Sequence, residues 1–568
     1  MSKFLRVNMN SGSVNFEDIK EDYLYFGGRG LVAKLLCDEV DPKADPLGPD
    51  NKLIICTGLL AGTSAPSSGR LSVGAKSPLT GTIKEANAGG IAAQMLARLG
   101  VKAVIVEGSS AAWYILKIGR DQAELIPADK YLGMNNYALV AALKADYGDK
   151  AGVISIGGAG ERGYRNSTVQ ITDSEGRPCR AAARGGLGAV MGSKKLKAVV
   201  LEPAAAETSY ADKEKFTAAM RGYSKAVKSH PLSGEALPAL GTAVLVNIVN
   251  SMGALPTRNF QSGTFEAAEQ ISGEQLAKLQ GERGGKLGHP CHPGCVIGCS
   301  NIYNDADGNY LTAGLEYETI GMNGSNCGIS DLDSIAKIDR LCDDFGLDTM
   351  ETGATIAVCM EAGKIPFGDA QGALGLLQEM IDGTEMGRLL GQGTQVTGEK
   401  LGVTRIPTVK GQSLAAYDPR ALKGTGVTYA TCPMGADHTA GNSLGNPTVD
   451  PVKKEGQVQV SSTLQVGIAT FDNLGMCIFS GFCAEDPANG GYLLEMMAGL
   501  YGGEWTPDRL FGIGVQTLML EKDFNARAGF TAADDKLPSF FYTEALPPSN
   551  SVFDLGEDEV AATLQFGG

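Results

Sequence analysis

The sequence has no surplus of positive charge, no long apolar run and almost no histidine. Its 64 acidic residues outnumber 49 basic ones, for a net charge of −15 and a pI near 4.9. So acidic a chain is a poor general binder of nucleic acid, which needs a basic surface. A local basic pocket for a phosphorylated cofactor is still allowed. No stretch reaches the roughly 18 apolar residues of a membrane span, so none is expected. The opening residues Met1 to Val7 lack the apolar core and cleavage site of a secretion signal, which makes the cytoplasm the expected compartment. Thiols stay reduced there, so the 12 cysteines do not predict a disulfide framework. Most are scattered and read as small buried apolar residues. Three are clustered.

A length of 568 residues predicts three or four domains at about 150 residues each. The 77 glycines are spread along the chain and imply many tight turns and close backbone approaches. Up to about residue 205 the pattern is mixed α and β. Phe4–Met9 and Ser13–Phe16 flank the hairpin signal Asn10-Ser11-Gly12. Leu53–Cys56, Leu71–Val73, Ala103–Glu107, Trp113–Ile118 and Val153–Ile156 read as strands, and Gly90–Leu99 and Tyr137–Tyr147 as helices. From about 206 onward helices dominate: Lys213–Ser229, Thr242–Met252, Ser334–Phe345, Glu351–Ala362 and Tyr492–Leu500. The composition shift at 203–208 marks one boundary and a weaker one falls near 405–415. The expected division is a β-rich domain 1–205 followed by helical domains 206–410 and 411–568, an α+β chain. Pro547-Pro548-Ser549-Asn550 predicts a C-terminal tail over the surface.

Four groups of residues carry chemistry. Cys291-His292-Pro293-Gly294-Cys295-Val296-Ile297-Gly298-Cys299 places three thiols within nine residues, separated by turn formers. Such a loop suits an iron–sulfur cubane with a remote fourth thiolate. Zinc is the competing reading, although its usual spacing is paired. Asp343-Asp344-Phe345-Gly346-Leu347-Asp348 and Asp472-Asn473-Leu474-Gly475-Met476-Cys477 both read Asp-x-x-Gly-apolar-(Asp or Cys). Each alone is a helix C-cap beside a stray acid. As a pair they can receive the N–H groups of two aminopyrimidine rings, glycine allowing close approach. Ser68-Gly69-Arg70, Asn87-Ala88-Gly89-Gly90 and Arg180-Ala181-Ala182-Ala183-Arg184-Gly185-Gly186 set arginine among small residues, which suits phosphate. Finally, His438, one of only four histidines, lies in the small-residue loop 435–441, and Glu316-Tyr317-Glu318-Thr319 follows the cysteine loop. A carboxylate beside a histidine serves proton transfer. Gly158-Ala159-Gly160-Glu161-Arg162-Gly163 imitates a dinucleotide fingerprint, but Tyr164–Thr172 alternates like a strand, so it reads as a glycine-rich turn without a pyrophosphate-binding helix.

These motifs, with Lys76-Ser77-Pro78-Leu79-Thr80-Gly81, Gly185–Ser193 and the C-terminal Asp523–Phe530 and Asp534–Pro538, resemble the tungsten-containing aldehyde ferredoxin oxidoreductases along nearly the whole chain. The resemblance implies a β-rich base domain under two helical domains. It implies tungsten or molybdenum held by two pterins, with Mg2+ at the pterin phosphates. It implies a [4Fe–4S] cluster on Cys291, Cys295, Cys299 and Cys477. Arg70, Asn87, Gly89, Arg180, Ala181, Ala183 and Arg184 would line the phosphates. Asp343, Leu347 and Asp348 would hold one pterin, and Asp472, Met476 and Cys477 the other. Glu316, Glu318 and His438 would be catalytic. The implied reaction is anaerobic interconversion of aldehydes and carboxylic acids, with electrons passing to ferredoxin or a small iron–sulfur subunit. A homo- or hetero-oligomer is compatible with it.

Three departures from the family pattern stand out. The first two cluster cysteines are separated by three residues rather than two. No histidine lies between His292 and His438, and Lys337 stands about where some members carry a glutamate for a subunit-bridging metal, so no such metal is expected. Ala440 replaces a pocket lysine of some members. Two other readings compete. One is the catalytic subunit of an aromatic thioester reductase complex, and the other is an iron–sulfur electron-transfer protein without substrate chemistry.

Overall fold

The β-rich runs of the first third gather into two six-stranded sheets with the same topology. The computed structural model describes residues 2–205 and 207–565. The first sheet contains β1 (Lys3–Asn8), β2 (Ser13–Asp18), β3 (Leu53–Thr57), β4 (Leu71–Lys76), β5 (Ile83–Ala88) and β6 (Val101–Glu107), in the order β2-β1-β6-β3-β4-β5. The second contains β7 (Tyr114–Gly119), β8 (Gln122–Pro127), β9 (Gly152–Ser155), β10 (Val169–Ile171), β11 (Arg180–Ala182) and β12 (Leu196–Leu201), in the order β8-β7-β12-β9-β10-β11. In each sheet a single pair is parallel, β1 with β6 and β7 with β12. Helices Gly28–Glu39 and Asn136–Tyr147 occupy corresponding connections, as do Ala92–Arg98 and Leu187–Ser193. The unit β-β-α-β-β-β-α-β therefore occurs twice. Parallel partners need long crossovers, and the internal helices supply them. Alternate residues of both sheets, among them Leu5, Val7, Ile55, Val73, Leu116, Ile154 and Val199, bury into one shared core.

The chain beyond residue 206 is helical with one small three-stranded sheet, β13 (Lys286–His289), β14 (Ser300–Asn304) and β15 (Tyr310–Ala313). The cysteine loop is the connection from β13 to β14. The largest hydrophobic core draws on residues from Ala159 to Val560, on both sides of the stretch near 405–415. A second core joins Phe216, Tyr223, Ile297, Phe471, Met476, Met496 and Trp505 around the cysteines.

Lys213–Ser229 forms as the periodicity predicts, started by Asp212, whose carboxylate accepts from Lys215 N–H. Thr242–Met252 instead splits into a 3-10 turn, Thr242–Val244, and a helix, Leu245–Ser251. Only Val169–Ile171 of the expected strand Tyr164–Thr172 pairs in a sheet, and Gly158–Glu161 closes one helical turn. The C-terminal tail is exposed at Pro547–Asn550, but it is anchored by Leu546, Phe553 and Leu555, which are buried in the main core. Among the described residues no single helix is long and apolar enough to cross a membrane.

Candidate active site and metal centre

Both Asp-x-x-Gly segments are helix C-caps, and both are more than that. Helices Leu332–Phe345 and Gln457–Leu474 end on Gly346 and Gly475 in the left-handed region, at φ of 85° and 71°. Each turn docks on a glycine following the equivalent strand of one sheet. Gly475 lies on Gly58, after β3, and a methyl on Gly58 would overlap the Gly475 backbone. Phe345 and Gly346 lie on Gly157 and Gly158, after β9, where a methyl would overlap Phe345. The bonds correspond too: Arg70 N–H donates to Gly475 O at 3.1 Å, and Thr168 N–H to Gly346 O at 2.9 Å, each donor preceding the fourth strand of its repeat. Gly158, the first glycine of the segment Gly158–Gly163, thus admits Phe345.

The two buried acids differ in company. Burial pushes Asp472 up to about 6, while Arg29 at 3.5 Å and Arg70 oppose it. Arg29 is itself buried and paired with Glu521 at 2.7 Å. Burial, reinforced by Asp339 one helical turn back, holds Asp343 well above the usual carboxylate range. Leu347 and Met476 are buried behind these turns.

Two of the four expected thiols, Cys291 and Cys295, come together with His292, their ligand atoms within 4.8 Å of one another. Burial pushes the Cys299 thiol up, and the charges of Glu316, Cys291, Cys477 and Cys295 add to it. Ser67 ties the loops together: its N–H donates to Gly294 O at 2.8 Å, its carbonyl accepts from Cys477 N–H at 2.8 Å, and its hydroxyl accepts from Val296 N–H at 3.3 Å. His292 is not one of the expected ligands. Its ring packs on Gly69, where a methyl would come within 2.7 Å, and its buried Nε2 has no partner. A cubane takes thiolates first, which leaves His292 as a neighbouring donor.

The small-residue set is only partly assembled as one pocket. Arg70 donates to the Asn87 side chain and to Asn87 O, and Gly89 abuts Cys291, where a methyl on the glycine would come within 3.3 Å of Sγ. Arg180 donates to Ser300 Oγ at 2.9 Å, and its Nε is buried without an acceptor. Ala181 and Ala183 are half-buried nearby. Arg184 turns away: it donates to Ala436 O at 2.9 Å and Ser413 O at 2.6 Å, and pairs with Asp348 at 3.3 Å and Glu351 at 3.6 Å. Its guanidinium is committed to protein acceptors.

The acid–base group resolves the glutamate pair. Glu318 Oε1 lies 3.0 Å from His438 Nε2 and accepts from Tyr417 O–H at 3.0 Å. Burial alone would raise Glu318, but the His438 charge and hydrogen bond outweigh it and hold the carboxyl low. Burial alone would lower His438, but Glu318 and then Asp437 raise it. Glu316, at the start of helix Tyr317–Asn323, points elsewhere: it accepts from Thr242 O–H at 2.7 Å, and burial pushes it up.

Family models for the aldehyde ferredoxin oxidoreductase N-terminal domain and for its domains 2 and 3 match residues 4–203 and 218–561. The chain belongs to the aldehyde ferredoxin oxidoreductase family. The tungsten-containing aldehyde ferredoxin oxidoreductase of Thermococcus kodakarensis is 37% identical, covering 96% of this chain and 92% of its own. That of Pyrococcus furiosus is 35% identical with the same coverage. The active-site complex BamBC of benzoyl coenzyme A reductase, solved with 1,5-dienoyl-CoA, shares the fold, with a TM-score of 0.81 at 20% identity over 98% of this chain and 92% of that one.

For a member of the aldehyde ferredoxin oxidoreductase family, the donor set fits two polar ring systems and a cluster. Asn166 Nδ2 and Oδ1, Ser167 Oγ and Gln170 Oε1 are buried without protein partners around the Asp343–Asp348 turn. Glu85 Oε1 and Asn87 Nδ2 are likewise orphaned on β5, beside the Asp472 turn. Buried polar atoms are normally satisfied, so these point to a polar ligand. Sequence reasoning missed Asn166, Ser167, Gln170, Glu85, Tyr417, Asp437 and Lys84. The spacing Asp437-His438 was a usable signal, and the others sit in segments with no chemical motif.

Proposed function

We propose that this protein is a tungsten or molybdenum bis-pterin oxidoreductase that interconverts aldehydes and carboxylic acids and passes electrons through a [4Fe–4S] cluster to ferredoxin or a small iron–sulfur subunit. The observation that carries the reading is the pair of like Asp-x-x-Gly turns docked after equivalent strands of the two sheets, the second of which, ending in Cys477, is tied through Ser67 to the three-cysteine loop. Oxidation adds water to the aldehyde and releases two protons and two electrons, leaving the acid. The bound metal and pterins supply the two-electron chemistry. Cys291, Cys295, Cys299 and Cys477 would hold the cluster. Asp343, Leu347 and Asp348 would seat one pterin, Asp472, Met476 and Cys477 the other. Arg70, Asn87, Gly89, Arg180, Ala181 and Ala183 would line the phosphates and their Mg2+. Arg184 would act through Asp348, which it holds.

Catalytic work on protons falls to Glu318 and His438, whose pairing keeps the imidazole oriented for the substrate oxygen. Glu316, buried beside Arg180, would act as a second carboxyl farther from the ring. Anaerobic protein given a panel of aldehydes and a viologen dye should reduce the dye. Silence toward every aldehyde, with reduction coupled instead to an aromatic thioester, would move the protein to the thioester reductase branch.

A further inference from the structure

His438 stands between two carboxylates, and the second needs a role. Nε2 is engaged by Glu318 at 3.0 Å. Nδ1 is buried, makes no hydrogen bond and lies 3.8 Å from Asp437 Oδ1, too far for one. Asp437 cannot swing closer, because both its oxygens are taken. Oδ2 meets Lys84 Nζ at 3.1 Å, and Oδ1 accepts from Thr439 N–H at 3.0 Å and Thr439 O–H at 2.8 Å. Lys84 is wholly buried on β5, where an unpaired ammonium is strongly disfavoured, so the two residues act as a unit across the base and the histidine loop. The carbonyl of Ala436 accepts from Arg184 and, at 2.5 Å, from Gln412, which pins the loop just before His438.

The charged and titratable groups facing the ring come from every surrounding element. Glu318 comes from helix Tyr317–Asn323, and Tyr417 packs at 5.8 Å between ring centroids. Asp437 lies on the same loop, Lys84 on β5 and Arg184 after β11. Tyr429 comes from helix Lys423–Thr431 and feels Glu318, Asp437 and Arg184.

We propose that Asp437, anchored by Lys84, is the positioning residue that makes Nδ1 the working atom of His438. The neutral ring donates its Nε2–H to Glu318 and leaves the Nδ1 lone pair bare. Nδ1 then takes a proton and the ring becomes imidazolium, with its charge steadied by a carboxylate too firmly held to capture that proton. Nδ1 returns the proton in the reverse direction. The proposal rests on the aldehyde-oxidoreductase reading only for where the proton goes. The ring chemistry can be measured without any substrate.

With four histidines in the chain, 15N-histidine labelling of the holoenzyme resolves His438, and His438→Asn assigns its signal. In the unmodified protein, neutral His438 should carry its proton on Nε2. In Asp437→Asn its pKa should fall by about one unit or more, since a nearby opposite charge has been removed. Asp437→Glu should restore most of the shift. A neutral ring protonated at Nδ1, or an Asp437→Asn titration matching the unmodified protein, overturns the proposal. If Asp437→Asn does not fold, the tautomer of the unmodified protein decides alone. Absence of aldehyde activity would sink the functional reading but would leave the tautomer and the titration unchanged.

Discussion

At the scale of single residues, two glutamates separated by one position do different work. Glu318 pairs with His438 at 3.0 Å, whereas Glu316 is tied to Thr242. Losing a positioned acid–base group costs about 10²–10⁴-fold in rate, so Glu318→Gln and His438→Asn should each lower turnover at least a hundredfold. Because they act as one unit, the double variant should be little worse than either single one. Additive losses in steady-state kinetics would separate the two residues. The same scale distinguishes two cysteines. Cys477 acts on Cys299 from within the thiol set, while Cys483 packs on Tyr223 and donates to Ser480 O at 3.4 Å. Electron paramagnetic resonance of the reduced proteins should show a damaged cluster in Cys477→Ser and an intact one in Cys483→Ser. The reverse pattern would reassign the fourth ligand. Sequence alone named both glutamates and His438, but which glutamate meets the ring is decided by the direction each side chain takes from the helix start.

At the scale of elements, buried charge on a strand has a measurable pH signature. Burial beside Asp472 pushes the Glu85 carboxyl up to about 8. The folded state therefore favours the protonated form, and an unfolded glutamate titrates near the ordinary value of about 4.3. Stability from this group is fully present below that value and is lost as pH rises toward the folded one. Relative to Glu85→Gln, the unmodified protein should lose melting temperature between pH 5 and pH 8. A difference that does not change with pH would refute the assignment. Strand β5 also shows why some of the fold was hidden. Its residues Ile83-Lys84-Glu85-Ala86-Asn87-Ala88 read as polar, yet Lys84 and Glu85 are buried, Lys84 against Asp437 and Glu85 beside Asp472, while Ile83, Ala86 and Ala88 pack in the core. The docking of each Asp-x-x-Gly turn on a sheet glycine is equally specific. Gly58→Ala should destabilise the protein by about 1–3 kcal/mol through overpacking and loosen the pterin side of the site. Gly281→Ala, in helix Gly273–Arg283 with open space around it, should leave melting unchanged or raise it. Equal effects in thermal melts would argue against the docking role.

At the scale of the whole molecule, a duplicated sheet unit receives two like turns after its equivalent strands. The sequence made the two turns visible as a pair, but not the doubled base beneath them, because the two sets of strands share topology rather than residues. In the segment Gly158–Gly163, Phe345 packs against Gly158, and only one helical turn, Gly158–Glu161, follows β9. The isolated chain should therefore reduce viologen dyes but not NAD. The most direct test of the central claim is elemental analysis of protein purified without oxygen from a host that makes the pterin. About one tungsten or molybdenum and about four irons per chain, the content of a [4Fe–4S] centre beside one group 6 metal, is the predicted result. Stoichiometric zinc with no group 6 metal would contradict it.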